Sequence, residues 1–405
     1  MNSVVENTLP KHWKSKTLGE VCDFLNGYAF KSKEYVTEGF RVIRIKNVQS
    51  GVIEDNDPKY FPLNRKDEIE KYILNENDLL ISLTGNVGRV GLISHELLPA
   101  VLNQRVGKIS IHKEMTPKFL FYRLRNSSFA KEAIDNSNGS AQLNLSSDWI
   151  MNYQLAIPPL DEQKRIVAKI DTLFAKIDKA ISLTEESLKQ AKNLLSSVLK
   201  EVFEKGKADG WEEKKLGEVL DNILTGTTPS KREPKYYENP TVSWFSPSDL
   251  GVVKVLEKAK NKVSQLAVDE RKVKLFEKDS LLLVAIGATI GKVGIIRTKV
   301  SSNQQITALK FNSNLNIEFA YYYFIHTKPT IVKIASTATM PIINQKSIKS
   351  LSIVFPSILI QENLVTSFNS ISDFSNKTQS KLEEQLAYLK QLKSSILSKA
   401  FKGEL

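Results

Sequence analysis

Ile157-Pro158-Pro159-Leu160-Asp161-Glu162-Gln163-Lys164-Arg165-Ile166 opens a helical pattern of unusual length. From there apolar or small residues recur at Ile166, Ile170, Leu173, Ile177, Ile181, Thr184, Leu188, Ala191, Leu195, Val198 and Val202. Steps of three and four place all of them on one face. Lys169, Lys176, Lys179, Glu185 and Lys189 fall off that face, and Asp161 and Glu162 sit in the first turn, where they complement the helix dipole. No glycine or proline interrupts the run before Gly206. A run of about 44 residues measures roughly 66 Å at 1.5 Å per residue, more than one small domain can cover. Its apolar face needs a partner of matching length, and the chain supplies one. Leu364, Phe368, Ile371, Leu382, Leu389 and Ile396 repeat the habit up to Gly403, although the polar stretch Ser370 to Gln379 predicts a kink or weak segment. The two helices are expected to pair as an antiparallel coiled coil through Ile166, Ile170, Leu173, Ile177, Leu188, Leu195, Leu382, Leu389 and Ile396.

Outward from the helices, the whole chain reads as two copies. Trp13 and Leu18-Gly19-Glu20-Val21 return 198 residues later as Trp211 and Leu216-Gly217-Glu218-Val219. Asp78-Leu79-Leu80-Ile81 leading to Gly85, Gly88 and Gly91 is echoed by Asp279-Ser280-Leu281-Leu282 leading to Gly287, Gly291 and Gly294. Asn103-Gln104 recurs as Asn303-Gln304, Phe119 and Tyr122 as Phe319 and Tyr322, and Ser196-Ser197-Val198-Leu199 with Phe203 as Ser394-Ser395-Ile396-Leu397 with Phe401. A period this long is a domain duplication, not a solenoid. The expected partition is a first domain over 1–157, a helix over 158–206, a second domain over 207–356 and a closing helix over 357–405. Strands are predicted at Arg41–Ile45, Leu79–Leu83, Val106–Ile111, Leu281–Ile286, Ile306–Phe311 and Leu351–Phe355. One helix is predicted from Thr116-Pro117 to about Ile134 and its counterpart from near Asn316. Each copy is therefore a small mixed α/β (α+β) domain followed by a long helix. Antiparallel pairing of the helices would give a dumbbell with pseudo-two-fold symmetry.

Composition narrows the partners. The chain has 405 residues, with Lys+Arg 57 against Asp+Glu 45 and a formal charge of +12. That excess favours a polyanion, nucleic acid or an acidic membrane surface, over solubility alone. Cys22 is the single cysteine, which excludes an intramolecular disulfide and a thiolate zinc site and suits the cytosol. The start Met1-Asn2-Ser3-Val4-Val5-Glu6-Asn7 shows no leader pattern, and no apolar run is long enough to span a bilayer, so a cytoplasmic location without a membrane partner is expected.

Catalytic signatures are largely missing. Gly287-Ala288-Thr289-Ile290-Gly291-Lys292 is one residue short of a phosphate loop and lacks the hydroxyl residue after lysine; its twin, Gly85-Asn86-Val87-Gly88-Arg89, has no lysine. Both read better as strand-to-strand turns with glycines at special backbone angles. His12, His95, His112 and His326 form no metal-ligand pair. Asp57-Pro58-Lys59-Tyr60 approaches the Asn/Asp-Pro-Pro-aromatic motif of amino-methyltransferases, but lysine replaces the second proline. What remains suits recognition: Lys31 and Lys33; Asn86 and Arg89; Asn103, Gln104 and Arg105; Thr227, Thr228, Ser230, Lys231 and Arg232; Lys292; Gln304 and Gln305. Arg reads guanine and Asn or Gln reads adenine, while Lys, Ser and Thr hold phosphates. Taken singly, each is also what a solvated turn would carry, and the repeated Asn-Gln equally suits a structural pair at a strand end.

In this order and recurrence, the residues resemble the DNA specificity subunit of type I restriction-modification systems along essentially the whole chain. Trp13…Leu18-Gly19-Glu20, Asp78-Leu79-Leu80-Ile81…Gly85, Asn103-Gln104 and Ile157-Pro158-Pro159-Leu160-Asp161-Glu162-Gln163 carry the resemblance, with their second copies and the ending Ala400-Phe401-Lys402-Gly403. The second helix start departs from it, reading Phe355-Pro356-Ser357-Ile358-Leu359-Ile360-Gln361-Glu362. The resemblance implies a non-catalytic subunit with two target recognition domains, each reading half of a bipartite DNA site. It also implies two modification subunits that bind S-adenosylmethionine and methylate adenine, no cofactor in this chain, and nuclease and translocase subunits that join for restriction. Competing readings are a coiled-coil scaffold whose globular ends do not read DNA, and a self-sufficient methyltransferase or nuclease.

Overall fold

The computed structural model describes residues 10–139, 142–335 and 341–405; the opening segment searched for a leader lies outside them. Two compact units emerge, Met1–Thr184 with Glu384–Leu405, and Glu185–Glu383. Two long helices, Leu160–Ala208 and Ile358–Ala400, each contribute to both.

In the first unit an antiparallel ribbon, Lys14–Thr17 against Gln154–Ile157, joins the beginning and end of the domain. A four-stranded antiparallel sheet runs in the order Cys22–Asn26, Val106–Ile111, Leu79–Ser82, Val90–Leu92. A second four-stranded sheet is centred on a parallel pair, Phe40–Ile43 with Ala100–Leu102. Every residue of the strand Leu79–Ser82 is buried: Leu79 and Ile81 face one apolar cluster and Leu80 another, as a continuous apolar run requires. The predicted strand at Arg41–Ile45 ends earlier, at Ile43, because the Arg44 N–H is taken by the Asn47 side chain (3.0 Å) and the chain turns away. The single helix predicted from Thr116 is two, Pro117–Leu124 and Ser127–Asp135. Asn126 breaks it: its side-chain oxygen accepts the Ser128 N–H and caps the second piece.

The second unit repeats this plan. Its ribbon pairs Glu212–Lys215 with Ser352–Phe355, and its four-stranded sheet runs Leu220–Thr225, Ile306–Phe311, Ser280–Val284, Val293–Ile296. Its smaller sheet again holds a parallel pair, Val242–Phe245 with Ser301–Ser302. The counterpart helix, Ile317–Ala335, starts at Asn316, whose side chain accepts the Glu318 and Phe319 N–H groups.

Within each unit the core takes residues from the start of one long helix and the end of the other. In the first, Ile166, Ile170, Phe174 and Ile177 pack with Leu389, Ile396, Leu397 and Phe401, and Phe119 meets Phe401 edge-on at 5.4 Å. Arg165 donates to the Leu405 carbonyl and Asp178 holds Lys393, so one helix descends as the other rises. In the second, Leu199 and Phe203 join Val365 and Phe368, and Phe203 meets Phe319 at 5.5 Å. The pairing is antiparallel in both units, as expected, and the buried face is wider than the simple stripe. Leu173, Val198 and Val202 are half-buried, whereas Phe174, Leu199 and Phe203 are fully buried, because helix ends face a domain as well as a helix. Leu188, Leu195 and Leu382 are likewise half-buried. The second helix is continuous through its polar middle. Buried Ser375 donates to the Ala191 carbonyl (2.7 Å) and accepts from Gln379, a polar cross-link that pins register. The first helix also continues through Gly206 to Ala208, where a Cβ on the glycine would stand 2.4 Å from the Trp211 ring.

Each helix start is clamped by one glutamine. Gln163 accepts the Thr116 N–H (2.9 Å) and donates to the Glu114 and Pro158 carbonyls. Gln361 accepts the Asn316 N–H (2.8 Å) and donates to the Asn314 and Pro356 carbonyls. Both are fully buried, so the clamp survives at the second start although Asp161 and Glu162 give way there to exposed Leu359 and Ile360. Gln361→Ala would break three hydrogen bonds and orphan buried backbone groups, at a cost of about 3 kcal/mol. A fall in the urea midpoint at unchanged slope is expected, and an unshifted midpoint would show that those backbone groups do not depend on the clamp.

Candidate nucleic-acid interface

In the first domain the strand ending at Asn26 runs into Gly27, where a Cβ would stand 2.3 Å from the Asn103 backbone. Only glycine permits this approach. It lets the Tyr28 N–H reach the Leu102 carbonyl (2.8 Å) and the Gln104 N–H reach the Tyr28 carbonyl (2.9 Å). Asn103 is buried; its N–H goes to the Ile43 carbonyl and its side-chain oxygen accepts the Arg105 N–H at 3.3 Å. That geometry gives Asn103 the structural part weighed for it and leaves Gln104 and Arg105 exposed beside it. Lys31 and Lys33 are exposed on the following loop, steadied by the Tyr28–Phe30–Phe61 ring contacts beneath.

The turn between Leu79–Ser82 and Val90–Leu92 completes the surface. Gly85 (φ +70°) and Gly88 (φ +75°) supply the left-handed backbone, and the Ser82 hydroxyl bonds the Asn86 carbonyl and the Arg89 N–H. Asn86 is exposed; Arg89 is half-buried and its guanidinium donates to the Gln49 side chain. Ile45 lies 3.9 Å from where a Cβ at Gly85 would be, so the turn Arg44–Asn47 adjoins this one.

The second domain assembles the equivalent surface with other side chains. A Cβ at Gly226 would meet the Ser302 hydroxyl at 2.2 Å, and the Thr227 N–H bonds the Ser302 carbonyl. Asn303 accepts the Gln305 N–H and donates to the Gln305 side chain (3.0 Å), so Gln305 is engaged, while exposed Gln304 accepts from the Thr228 hydroxyl. Thr227 itself is occupied: its hydroxyl donates to the Lys272 carbonyl and its own carbonyl accepts from the Trp244 ring N–H. Ser230 accepts the Arg232 N–H, leaving Lys231 and Arg232 exposed. Gly287 (φ +101°) and Gly291 (φ +84°) form a strand-to-strand turn, and the half-buried Lys292 lies over Gly251, 3.0 Å from where its Cβ would be. The glycine sequences weighed as phosphate loops are thus hairpin turns.

Sequence reading missed the turns that follow the parallel strands. Arg44-Ile45-Lys46-Asn47 in the first domain corresponds to Ser246-Pro247-Ser248-Asp249 in the second, each closed by its fourth side chain on the first N–H. The strand pattern concealed Arg44, and nothing local marks Lys46, Gln49, Ser246 or Ser248 as neighbours of the Asn-Gln loops. Asp57-Pro58-Lys59-Tyr60 is a surface turn: Asp57 (φ +51°) is held by Lys46 and by Lys59 at 3.0 Å. Those ammonium groups hold its carboxyl well below the usual range. Among the described residues no cluster of histidine, cysteine or acidic side chains could hold a metal, and no helix is long and apolar enough to cross a membrane.

Two sibling mixed α/β domains, each presenting glycine-tightened polar loops and sharing two long helices, define a duplicated DNA specificity module. The description "Type I restriction modification DNA specificity domain" matches twice, over residues 10–190 and 208–388, and the chain belongs to that family. It is 26% identical to the EcoBI specificity subunit of Escherichia coli over 97% of this chain and 86% of that one. With the StySPI specificity subunit of Salmonella potsdam it shares 23% over 98% and 90%. In fold it is similar to a chain from a solved type I R-M system (TM-score 0.78, 23% identity, covering 98% of this chain and 99% of that one). It is also similar to the HsdS subunit from Thermoanaerobacter tengcongensis (TM-score 0.63, 22% identity, 98% of each).

The lone thiol, Cys22, lies in the core of the first domain and offers a test of its burial. Burial, with Asp23 beside it, pushes the Cys22 thiol up to about 12, so at pH 8 almost none of it is thiolate. Iodoacetamide at pH 8 should leave the folded protein unlabelled and label it readily in denaturant; equal rates in both would contradict this burial.

Proposed function

We propose that this chain is the non-catalytic specificity subunit of a type I restriction-modification complex, its two domains reading the two unlike halves of one bipartite duplex site. The observation that carries this reading is the doubled specificity domain whose equivalent recognition loops bear different side chains. Lys31 and Lys33 stand on the loop that carries Thr228, Ser230, Lys231 and Arg232 in the other copy, and Arg44 and Lys46 stand where Ser246 and Ser248 do. Like scaffolds with unlike reading groups give an asymmetric target. Two half-sites, each too weak alone, act together through the effective concentration that a common support provides. Charge supports the choice of partner, since 12 excess positive charges favour a polyanion.

Methyl transfer then belongs to two modification subunits carrying S-adenosylmethionine, with nuclease and translocase subunits joining for restriction, and the complex works in the cytoplasm. This chain supplies no cofactor chemistry: its buried thiol and lysine-held Asp57 serve packing and charge. The long helices set the spacing between half-sites and dock the modification subunits.

Cells expressing the chain with its modification subunits should carry adenine methylation at one split, asymmetric sequence, mapped by methylation sequencing; absent or scattered methylation would reject the reading. Inserting matched heptads into both helices, where Lys192 meets Glu383 beside Leu188, should lengthen the unread spacer and leave both half-sites intact. A changed half-site with an unchanged spacer would refute the spacing role.

A further inference from the structure

One turn of the first domain gathers several cations round a single carboxylate. Asp57 is bonded by Lys46 and by Lys59 (3.0 Å), and the Arg44 guanidinium stands 3.6 Å from the same carboxylate while donating to the Asp57 carbonyl. Three cations thus share one carboxylate; nearby Asp55 is committed to Arg41 at 2.9 Å. The Lys46 and Lys59 side chains remain 43% and 40% exposed, and Asp57 is 54% exposed, so the cluster faces solvent. It is also continuous with the candidate interface. Gln49 donates to the Lys46 carbonyl (2.8 Å) and accepts from Arg89, and Ile45 abuts the Gly85 turn. At the equivalent turn of the second domain Ser246 and Ser248 replace Arg44 and Lys46; Asp249 bonds its own turn and the Lys260 N–H, and the Lys260 ammonium donates to the Ser248 carbonyl (3.5 Å) instead of to a shared carboxylate.

We propose that Lys46, Lys59 and Arg44 form a phosphate-binding site of the first domain, in which the Asp57 carboxylate holds the place of a DNA backbone phosphate until the duplex arrives. A surface carboxylate gathers like charges that would otherwise repel, and it binds them weakly enough in water to be exchanged. A phosphodiester presents the same paired anionic oxygens to the same donors. The first domain would thus hold a phosphate through three cations gathered on one carboxylate, whereas the second presents single cations, Lys231, Arg232 and Lys260, among hydroxyls and amides. The site contributes register and affinity without reading sequence.

This inference rests on the DNA-reading function proposed above, and the test separates the two. Binding of the complex with its modification subunits to a duplex carrying the mapped bipartite sequence is measured against salt concentration. Lys46→Gln with Lys59→Gln should make the log–log salt slope shallower by about 1.8 and weaken binding at 0.1 M salt by roughly tenfold to a hundredfold, with the methylated sequence unchanged. Asp57→Asn is nearly isosteric, and asparagine tolerates the positive φ there. It should bind several-fold tighter, since the competing anion is gone. An unchanged slope in the double variant, or unchanged or weaker binding by Asp57→Asn, overturns the phosphate site while leaving the function standing. If wild type shows no bipartite methylation, the function itself falls.

Discussion

Everything in this molecule depends on the way each domain core is closed by two helix segments distant in sequence. Phe401 against Phe119, and Phe203 against Phe319, place the end of one long helix under the domain where the other begins. Burying a phenylalanine is worth about 1.5–3 kcal/mol, and each comes with a stripe of leucine and isoleucine behind it. A helix end left unpaired would expose that stripe and leave a gap in the core it fills. The glutamine clamps fix where each helix begins, and Ser375 on the Ala191 carbonyl fixes register between them. Tyr122 on Asp171 and Tyr322 on Asn369 add a repeated bond between each domain and the helix it feeds.

That closure explains how one scaffold carries two specificities. Besides the exposed Gln104 and Gln304, the features shared by the two copies are apolar or geometric: the glycine against the Asn-Gln loop, the hairpin glycines, the asparagine folded onto its own loop. None of these reaches solvent as a reading group. The side chains that differ, Lys31 against Ser230 or Lys46 against Ser248, sit on turns whose backbone is already held by neighbouring strands. Exchanging them alters charge and hydrogen-bonding pattern without disturbing the core, so recognition can diverge while the fold does not.

Several residues proved to be structural where chemistry was a live alternative. The glycine-rich stretches near Gly85 and Gly287 turn strands, and Asp57-Pro58-Lys59-Tyr60 gathers cations. Polar residues in the second helix, expected to weaken it, include Ser375, which bonds the other long helix at the Ala191 carbonyl. Each case has the same cause: residue type and spacing describe what a segment is able to do, whereas partners brought from elsewhere in the chain determine what it does.

Recurring motifs revealed the duplication, and local periodicity revealed both long helices, their pairing and six of the strands, because a 3.6-residue or two-residue repeat is written in consecutive side chains; strands as short as Lys14–Thr17, Ala100–Leu102 or Ser301–Ser302 hold too few residues to show one. Residues Phe174, Leu199 and Phe203 escaped it, since a helix facing two neighbours buries a wider arc than its strongest stripe. The candidate surface was legible only in part. Gln104, Lys31 and Lys33 stood out by type, but the joining of Arg89 to Gln49, and of Asp57 to Arg44 and Lys46, arises only where separate loops are folded together. Such proximity is set by sheet order and by the parallel strand pair, long-range choices that no single stretch of sequence carries.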